Sequence, residues 1–291
     1  MSIPPVEQDL VVRVLDRRRA LDPDRLAEDL LETFGSPNYR PPVLPSVALE
    51  LLSIARRPDV PIPAVVKLLM NEQILAARVL HLAQSALYGR GVGRTLTLGQ
   101  AILRLGLKRI ADIFMQAALE VRMFRVRGFE EPMNRLRRHS AATAEVARLV
   151  CQRTSLDDDH AFLCGLLHDV GMAASLIVLS DAAADHPVDF ASAWPAIVEV
   201  HESAGRKLAN LWTLPPEIGA VIEGHHGKNG FPTSTAAAVA LADMLVTEQG
   251  AGIGAETSLE RLKLACDFLV MGDEALEQLR ADTARVLAEL G

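Results

Sequence analysis

Aromatic residues are scarce in this sequence: Phe, Trp and Tyr together make up 4% of the 291 residues. Hydrophobic residues still account for 49% of the chain, so the core must consist largely of Leu, Val, Ile and Ala. That composition favours helices over strands. Alternation of apolar and polar residues with a period of two is also missing over any length that would indicate a sheet. We therefore predict an all-α fold.

Cysteine is rare as well, with Cys151, Cys164 and Cys266 far apart and no CxxC motif. This spacing predicts buried, reduced thiols in a reducing compartment. The N-terminus lacks the basic start and apolar stretch of a signal peptide, and no apolar segment of about 18 residues is free of charges. We expect a cytoplasmic protein without membrane spans.

The chain also lacks an excess of positive charge, since its formal net charge is −7. That balance argues against a broad nucleic-acid-binding surface, although a local basic patch could still exist. Two short segments are basic, RVLDRRR at 13–19 and RLRRH at 135–139. A solvated helix face explains both, and we expect no nucleic-acid partner.

Helical periodicity runs along most of the chain. A polar arm at 1–40 ends in the Pro- and Gly-rich stretch GSPNYRPPVLP, which precedes the first compact unit. We predict a two-lobed helical bundle with an N-lobe at about 41–125, a second lobe at about 126–249 and C-terminal helices at 250–291, the segment 107–124 being the spine between the lobes. The second lobe and the C-terminus are predicted to contain helices at 132–153, 158–170, 188–212, 215–225, 234–248 and 258–289, the last interrupted near MGDE.

Histidine is the chemically informative residue type. Five of the eight histidines and two aspartates lie on inward faces or at ends of five predicted helices: His139, His168, Asp169, His201, His225, His226 and Asp243. His139 and His201 share their faces with apolar residues. His168 and Asp169 are expected to close their helix just before Gly171, whose freedom at positive φ suits a helix end.

Taken together, these seven side chains predict a metal site. Burying so many imidazoles and carboxylates without partners would be costly, whereas one or two divalent ions would satisfy them at once. Mixed nitrogen and oxygen ligands suit Fe, Mn, Ni or Zn. The alternative is a scaffold in which the histidines only satisfy one another. His81, His160 and His186 lie outside the pattern and are expected to be surface or packing residues.

The order H…HD…H…HH…D resembles the HD superfamily of metal-dependent phosphohydrolases. The segment HHGKNGFP at 225–232 is similar, in shortened form, to the HH…GYP loop of the cyclic-dinucleotide phosphodiesterase branch. The first half of the chain, from LPSVALELL at 44 through TLGQAILRLGLKRIADI at 97–113, resembles the HDOD domain, the HD-related output domain of bacterial signalling proteins. The resemblance extends from about Pro42 to about Asp243 and implies an HD-type second lobe.

The chain departs from these families at three places. It has Asn71-Glu72-Gln73 where HDOD proteins usually carry Asp-Pro, and Gln84 where they carry Asn. Active HD phosphodiesterases carry a lysine after HDxG, and this chain has Met172 there. Methionine cannot donate to a phosphate, so a charge-assisted contact of roughly 1.5–3 kcal/mol is absent. Lys228, on a Gly-flanked loop, could substitute for it, although an ordinary solvated lysine is the simpler interpretation.

The resemblance and the missing lysine favour a signalling or regulatory module with weak or no catalysis, which acts on an unidentified partner protein and could take a nucleotide or phosphate ligand. The alternative is a metal-dependent phosphohydrolase of a nucleotide or cyclic dinucleotide, in which Asp169 bridges two ions. A third interpretation is the metal-free scaffold. Turnover of phosphoesters and metal content distinguish the three.

Overall fold

The computed structural model describes residues 23–55, 57, 59–85, 97–124, 126–156, 160–182, 189–254 and 258–290. Within these ranges the chain is helical and contains no β-strand, apart from an isolated bridge between Lys228 and Gly230. The predicted all-α fold is confirmed. The basic segment at 13–19 lies outside the described residues.

The first group of helices corresponds to the predicted N-lobe and the end of the arm. Its members are α1 (Pro23–Gly35), α2 (Ser46–Ile54), α3 (Ile62–Met70), α4 (Gln73–Ala83), α5 (Leu98–Leu105) and α6 (Leu107–Arg122). Helix α5 begins with a capping box, because the Thr97 hydroxyl accepts from the Gln100 amide and the Gln100 side chain accepts from the Thr97 amide. Gly106, with φ of 82°, separates α5 from α6 in a conformation that favours glycine.

Helix α6 is the centre of this group. Every residue from Ile110 to Leu119 is buried, although an ordinary surface helix buries only one stripe. Helices α2, α4 and α5 of the same group pack on α6. A helix of the second group described below, α8 (Ala161–Leu167), also contacts α6. This agrees with the predicted spine at 107–124. The division into lobes at about residue 125 and the separate arm at 1–40 stay predictions. Helix α1 belongs to the predicted arm, yet it packs against α10 (Phe190–Leu211) of the second group.

The second group carries all the histidines of the predicted site. It consists of α7 (Glu130–Thr154), α8 (Ala161–Leu167), α9 (Val170–Ala182), α10 (Phe190–Leu211), α11 (Pro216–Gly224) and α12 (Ser234–Val246). Helix α12 packs on α7, α8 and α11, so it lies inside the group and is buried along its length from Ala236 to Val246. A short π-helical turn, Thr247–Ala251, follows α12.

Helix α8 ends at Leu167, and α9 begins at Val170, so His168 and Asp169 stand between two helices. The predicted end of the helix at 158–170 lies close to the observed one, but the sequence pattern predicted no helix at the position of α9. The expectation for Gly171 was wrong, because the residue lies inside α9 and has no positive φ. Helix α9 is apolar on almost every face, so it shows no amphipathic stripe by which periodicity could have indicated it.

The C-terminal residues form α13 (Leu259–Leu269) and α14 (Asp273–Leu290). The break between them falls next to the predicted MGDE interruption, where Val270 adopts a left-handed conformation with φ of 54°. Helix α13 packs on α12, and α14 packs on α7 and α12. Arg153 of α7 forms an ion pair with the buried Asp282 of α14, which fastens the C-terminus to the second group.

One stretch, Ala161–Asp181, is long and apolar enough to span a membrane by composition alone, but 89% of its apolar window is buried inside this protein. Such burial is typical of a core helix. Cys151 and Cys164 are buried, and Cys266 is half-buried; none of the three forms a disulfide. The predicted burial is confirmed for Cys151 and Cys164 and holds only in part for Cys266.

Candidate metal centre

Five parts of the second group bring the predicted side chains together. Helix α7 contributes one histidine, the α8–α9 junction a histidine and an aspartate, α10 one histidine, the end of α11 two histidines and α12 one aspartate. Six of these side chains are buried and one is half-buried. In chain order they are His139, His168, Asp169, His201, His225, His226 (the half-buried one) and Asp243.

Glycines allow the helices around these side chains to touch. A Cβ atom on Gly171 would lie 2.0 Å from the carbonyl oxygen of His201, and one on Gly165 would lie 2.8 Å from the Cα atom of Ala144. Real Cβ atoms do not approach other atoms so closely, so α9 meets α10 and α8 meets α7 backbone to backbone. The glycine of the HDxG segment is thus required for helix contact rather than for a helix end.

Hydrogen bonds to backbone carbonyls fix the orientation of four imidazoles. Nδ1 of His168 donates to Gly165, Nδ1 of His201 to Val198 and Nδ1 of His225 to Ile222, over 2.8, 2.6 and 2.8 Å. Nδ1 of His139 donates to the Ala251 carbonyl over 3.2 Å. A carbonyl can only accept, so the proton of each neutral ring lies on Nδ1 and the lone pair lies on Nε2. Histidine ligands of metals are usually held in this way.

The first cluster comprises His139, His168 and Asp169, whose donor atoms all lie within 4.8 Å of one another. The Nε2 atoms of the two histidines are 3.2 Å apart. Oδ2 of Asp169 lies 3.1 Å from Nε2 of His168 and 3.7 Å from Nε2 of His139. Asp243 adds an oxygen 3.3 Å from Nε2 of His139. Two imidazole nitrogens and two carboxylates therefore face one point.

The second cluster comprises His201, His225 and His226, again with donor atoms within 4.8 Å of one another. Nε2 of His201 lies 3.0 Å from Nε2 of His226. Oδ1 of Asp169 lies 3.5 Å from Nε2 of both His201 and His225. The two oxygens of the Asp169 carboxylate thus face different clusters, which is the arrangement of a carboxylate that bridges two ions.

Charge interactions inside the centre shift several pKa values. Burial lowers the pKa of His168, but the charge and hydrogen bond of Asp169, with the charge of Asp243 and the Gly165 carbonyl, together outweigh burial and raise this pKa to about 9. Burial raises the pKa of Asp169, but His168 and its neighbours hold it well below the usual range. Burial, then the charge of His225, lowers the pKa of His226 to about 2. The first cluster thus retains a proton that a metal ion would displace, whereas His226 is neutral and ready to coordinate.

The donor set fits divalent cations. Oδ1 of Asp169 and Nε2 of His225 are buried, and neither has a hydrogen-bond partner among the described residues. An unsatisfied buried polar atom costs about 1–3 kcal/mol. A cation placed between the bridging carboxylate and the lone pairs of the second cluster would satisfy both atoms. Imidazole and carboxylate ligands together suit Fe, Mn, Ni and Zn, and nothing in the geometry selects one of them.

Comparison with known proteins agrees with the fold. Residues 42–228, more than half of the chain, match the model of the HDOD domain family. The chain belongs to the HDOD family. No curated protein matches this HDOD chain.

Three solved structures resemble the HDOD chain in fold. An HDOD domain protein of unknown function from Geobacter sulfurreducens has a TM-score of 0.71 at 24% identity, covering 94% of this chain and 97% of that one. A candidate metal-dependent phosphohydrolase from Shewanella amazonensis SB2B has a TM-score of 0.71 at 22% identity, with 92% and 99% covered. A candidate signal transduction protein from Marinobacter aquaeolei VT8 has a TM-score of 0.67 at 19% identity, with 95% and 67% covered. At such identities the likeness establishes the fold.

Met172, in the position of the phosphodiesterase lysine, is buried in this HDOD protein. It lines a cleft of about 260 Å³ together with Arg135, Leu136, Leu176, Trp194 and other mostly apolar residues. The backbone amide of Met172 donates to the carbonyl of Asp169 over 2.9 Å. The side chain therefore contributes to packing next to the centre and offers no donor to it.

Lys228 does not replace the missing lysine in this structure. Its Nζ atom lies 2.6 Å from a carboxylate oxygen of the buried Glu202, the neighbour of His201. Two thirds of the Lys228 side chain is exposed, at 66%. This ion pair holds the loop after His226 against α10, and it occupies the lysine.

Several contacts of the centre were not found from the sequence. They are the Ala251 carbonyl, the Thr247 hydroxyl that donates to Asp243 over 3.4 Å, the Glu202–Lys228 ion pair, and Arg261 near Asp243. Thr247 follows Asp243 by four residues, so helical spacing could have indicated it. Of the three other histidines, His81 is exposed, His160 is half-buried at the start of α8, and His186 lies outside the described residues.

Proposed function

We propose that this protein is a bacterial regulatory module of the HDOD type, in which a centre of five histidines and two aspartates holds one or two divalent ions with little or no hydrolytic activity. The resident ions would be held by His139, His168, Asp169 and Asp243 on one side and by His201, His225, His226 and Asp169 on the other. Bound ions would supply fixed positive charge and Lewis acidity. A separate signalling protein is the proposed partner, and its identity is open.

The observation that carries this proposal is the shared carboxylate of Asp169, with one oxygen in each cluster and one oxygen without a protein partner. Histidines that only satisfied one another would leave no such atom. The scaffold interpretation is for this reason the weakest of the three.

Little turnover is proposed because the usual cationic contact for phosphate is absent at position 172 and Lys228 is held by Glu202. Rate in phosphoryl transfer depends on holding the phosphate in line and neutralising its charge. The buried position of Met172 in an apolar cleft favours a packing role for this residue.

The direct experiment is elemental analysis of protein purified without chelators. We expect about one to two equivalents of a divalent metal per chain in the wild type and a loss of metal in Asp169→Ala. Asp112→Asn, which changes a buried aspartate away from the centre, is the matched control and should keep its metal. A wild type without metal would contradict the proposal.

A phosphohydrolase is the second candidate, favoured by the same bridging carboxylate and by the HD-type ligand order. Steady-state assays with cyclic dinucleotides, nucleoside phosphates and an activated phosphodiester separate the two. We expect the metal-loaded wild type to show little or no turnover and Met172→Lys to raise any trace of it. Substantial wild-type turnover that Asp169→Ala abolishes would replace the regulatory proposal with the enzyme.

A further inference from the structure

Arg261, on α13, extends toward the metal centre from outside the segment that matches the HDOD family. Its Nη2 atom lies 3.9 Å from Oδ2 of Asp243. Its Nε and Nη2 atoms are buried, and neither has a hydrogen-bond partner among the described residues. The side chain is 24% exposed, so the unpaired edge lies inside while the rest of the residue reaches the surface.

The unpaired atoms are the pair that recognises oxyanions. Nε–H and Nη2–H point along one edge of the planar guanidinium, and this fork matches two oxygens of a phosphate or carboxylate. Asp243 does not fill that role, since 3.9 Å is too long for a hydrogen bond. The other oxygen of Asp243 faces His139 and Thr247. A donor edge left empty beside a ligand set indicates a missing acceptor.

With two ions bound, the charges around the centre would also favour an anion. Two divalent ions would bring four positive charges, whereas Asp169 and Asp243 bring two negative ones. The imidazoles would be neutral when they coordinate. The charge of Glu202 is already paired with Lys228, and Arg261 adds a further positive charge.

We propose that Arg261 binds a phosphate group of the ligand of this protein through its Nε–Nη2 edge, next to the ions of the metal centre. This inference rests on the proposed metal centre and gives the ligand a chemical class, a phosphate monoester or diester. Arg261 of α13 supplies the positive charge that the lysine after HDxG supplies in phosphodiesterases. It binds phosphate at the Asp243 side of the centre rather than at the Met172 side.

Inorganic phosphate is the probe, titrated calorimetrically into metal-loaded protein whose metal content has been measured. Arg261→Gln should keep the metal and weaken phosphate binding about tenfold to a hundredfold, the loss expected for a charge-assisted bidentate contact. Arg261→Lys keeps the charge and loses the fork, so it should fall between the two. Lys263→Gln, on the same helix and exposed, removes the same charge and should bind phosphate like the wild type.

Two results would overturn the inference. Unchanged phosphate binding in Arg261→Gln would show that the edge does not contact phosphate. Loss of metal in Arg261→Gln would show that the residue only positions Asp243. A wild type without metal would contradict the proposed metal centre instead. If this metal-free protein still bound phosphate and Arg261→Gln weakened that binding, the contact would be supported. If the metal-free protein bound no phosphate, the contact would be overturned.

Discussion

Two polar clusters stand out in the core of the described residues, and only one of them pairs its charges within the chain. The arginine–carboxylate cluster, formed by Arg109, Asp112, Glu145 and Arg148, joins α6 to α7. Glu145 is 1% exposed and pairs with both arginines, and the Arg109 guanidinium also lies 5.0 Å from the centre of the Phe162 ring. The metal centre buries more charged or polar side chains but offers almost only ligand atoms for a cation.

The difference separates structural burial from burial for a ligand. In the arginine–carboxylate cluster, cations and anions from the same chain meet. In the metal centre, imidazole nitrogens lie close to one another, and Oδ1 of Asp169 and Nε2 of His225 have no hydrogen-bond partner among the described residues. Mutations in the arginine–carboxylate cluster should therefore change stability alone, whereas mutations in the metal centre should change metal content.

The largest effect on stability is expected for Glu145→Ala. Removing a carboxylate that is shared by two arginines leaves their charges without a partner in a buried interface, so the free energy of unfolding should fall by about 3 kcal/mol. Urea unfolding measures the change. Glu131→Ala, on the same helix but exposed, should cost less than about 0.5 kcal/mol. A metal content that fell along with stability would break the proposed division between the clusters.

Removing the metal comes next. A ligand present at 100 times its Kd stabilises the folded state by about 2.7 kcal/mol, so a chelator should lower the Tm of the wild type clearly. Asp169→Ala, which cannot hold the ions, should show no further decrease with chelator. Equal chelator effects on the two proteins would mean that stabilisation by metal does not depend on Asp169.

The stability of the arginine–carboxylate cluster should also depend on pH. Burial raises the pKa of Asp112 to about 7; the charge of Arg109 opposes this rise and the charge of Glu145 adds to it. Between the unfolded value of 3.8 and this folded value, the folded state holds a proton that the unfolded state has lost. The contribution of Asp112 to stability is therefore fully present below pH 3.8, declines as pH rises between that value and about 7, and is lost above about pH 7. Lys108 and Arg148 also face the group and lower its pKa.

Asp112→Asn mimics the neutral carboxyl and tests this sign. Relative to the wild type, the variant should gain stability as pH rises from 5 to 7, by up to about 1.4 kcal/mol per pH unit, and the difference should level off above pH 7. Unfolding midpoints from pH 5 to pH 8 give the comparison. A difference that does not change with pH would refute the raised pKa.

The smallest effect is expected at the edge of the metal centre, for Lys228→Ala. Its partner is buried but the lysine is mostly exposed, so losing the ion pair should cost about 1 kcal/mol or less. Metal content should not change, because Lys228 supplies no ligand. Loss of metal, measured on the same preparation, would show that the ion pair holds His226 in position.

The helical pattern predicted most of the fold, including α6 as the spine and the break near MGDE. It missed α9, because this helix is apolar on almost every face and shows no amphipathic stripe. It also failed for Gly171. The small size of this residue matters because α10 packs against it, so that a Cβ atom there would lie 2.0 Å from the carbonyl oxygen of His201. Such contacts depend on residues distant in sequence.

The seven residues of the centre could be found from sequence because imidazoles and carboxylates on apolar faces are unusual and helical spacing gives their direction. The side chains around them could not. Arg261 resembles the other arginines that lie on helices of this chain, so nothing in the sequence singles it out. The residues next to Lys228 in sequence do not indicate whether it faces solvent or pairs with Glu202. Their roles are set by how α13 and α10 pack.

The smallest transferable piece of this protein is longer than its family match. The match ends at residue 228, but Asp243, the Ala251 carbonyl that orients His139, and Arg261 all follow it. A fragment cut at that boundary would carry six of the seven proposed ligands while lacking a carboxylate of the first cluster and the group that aligns His139. Grafting or expressing this centre as an independent unit therefore requires the chain through α13.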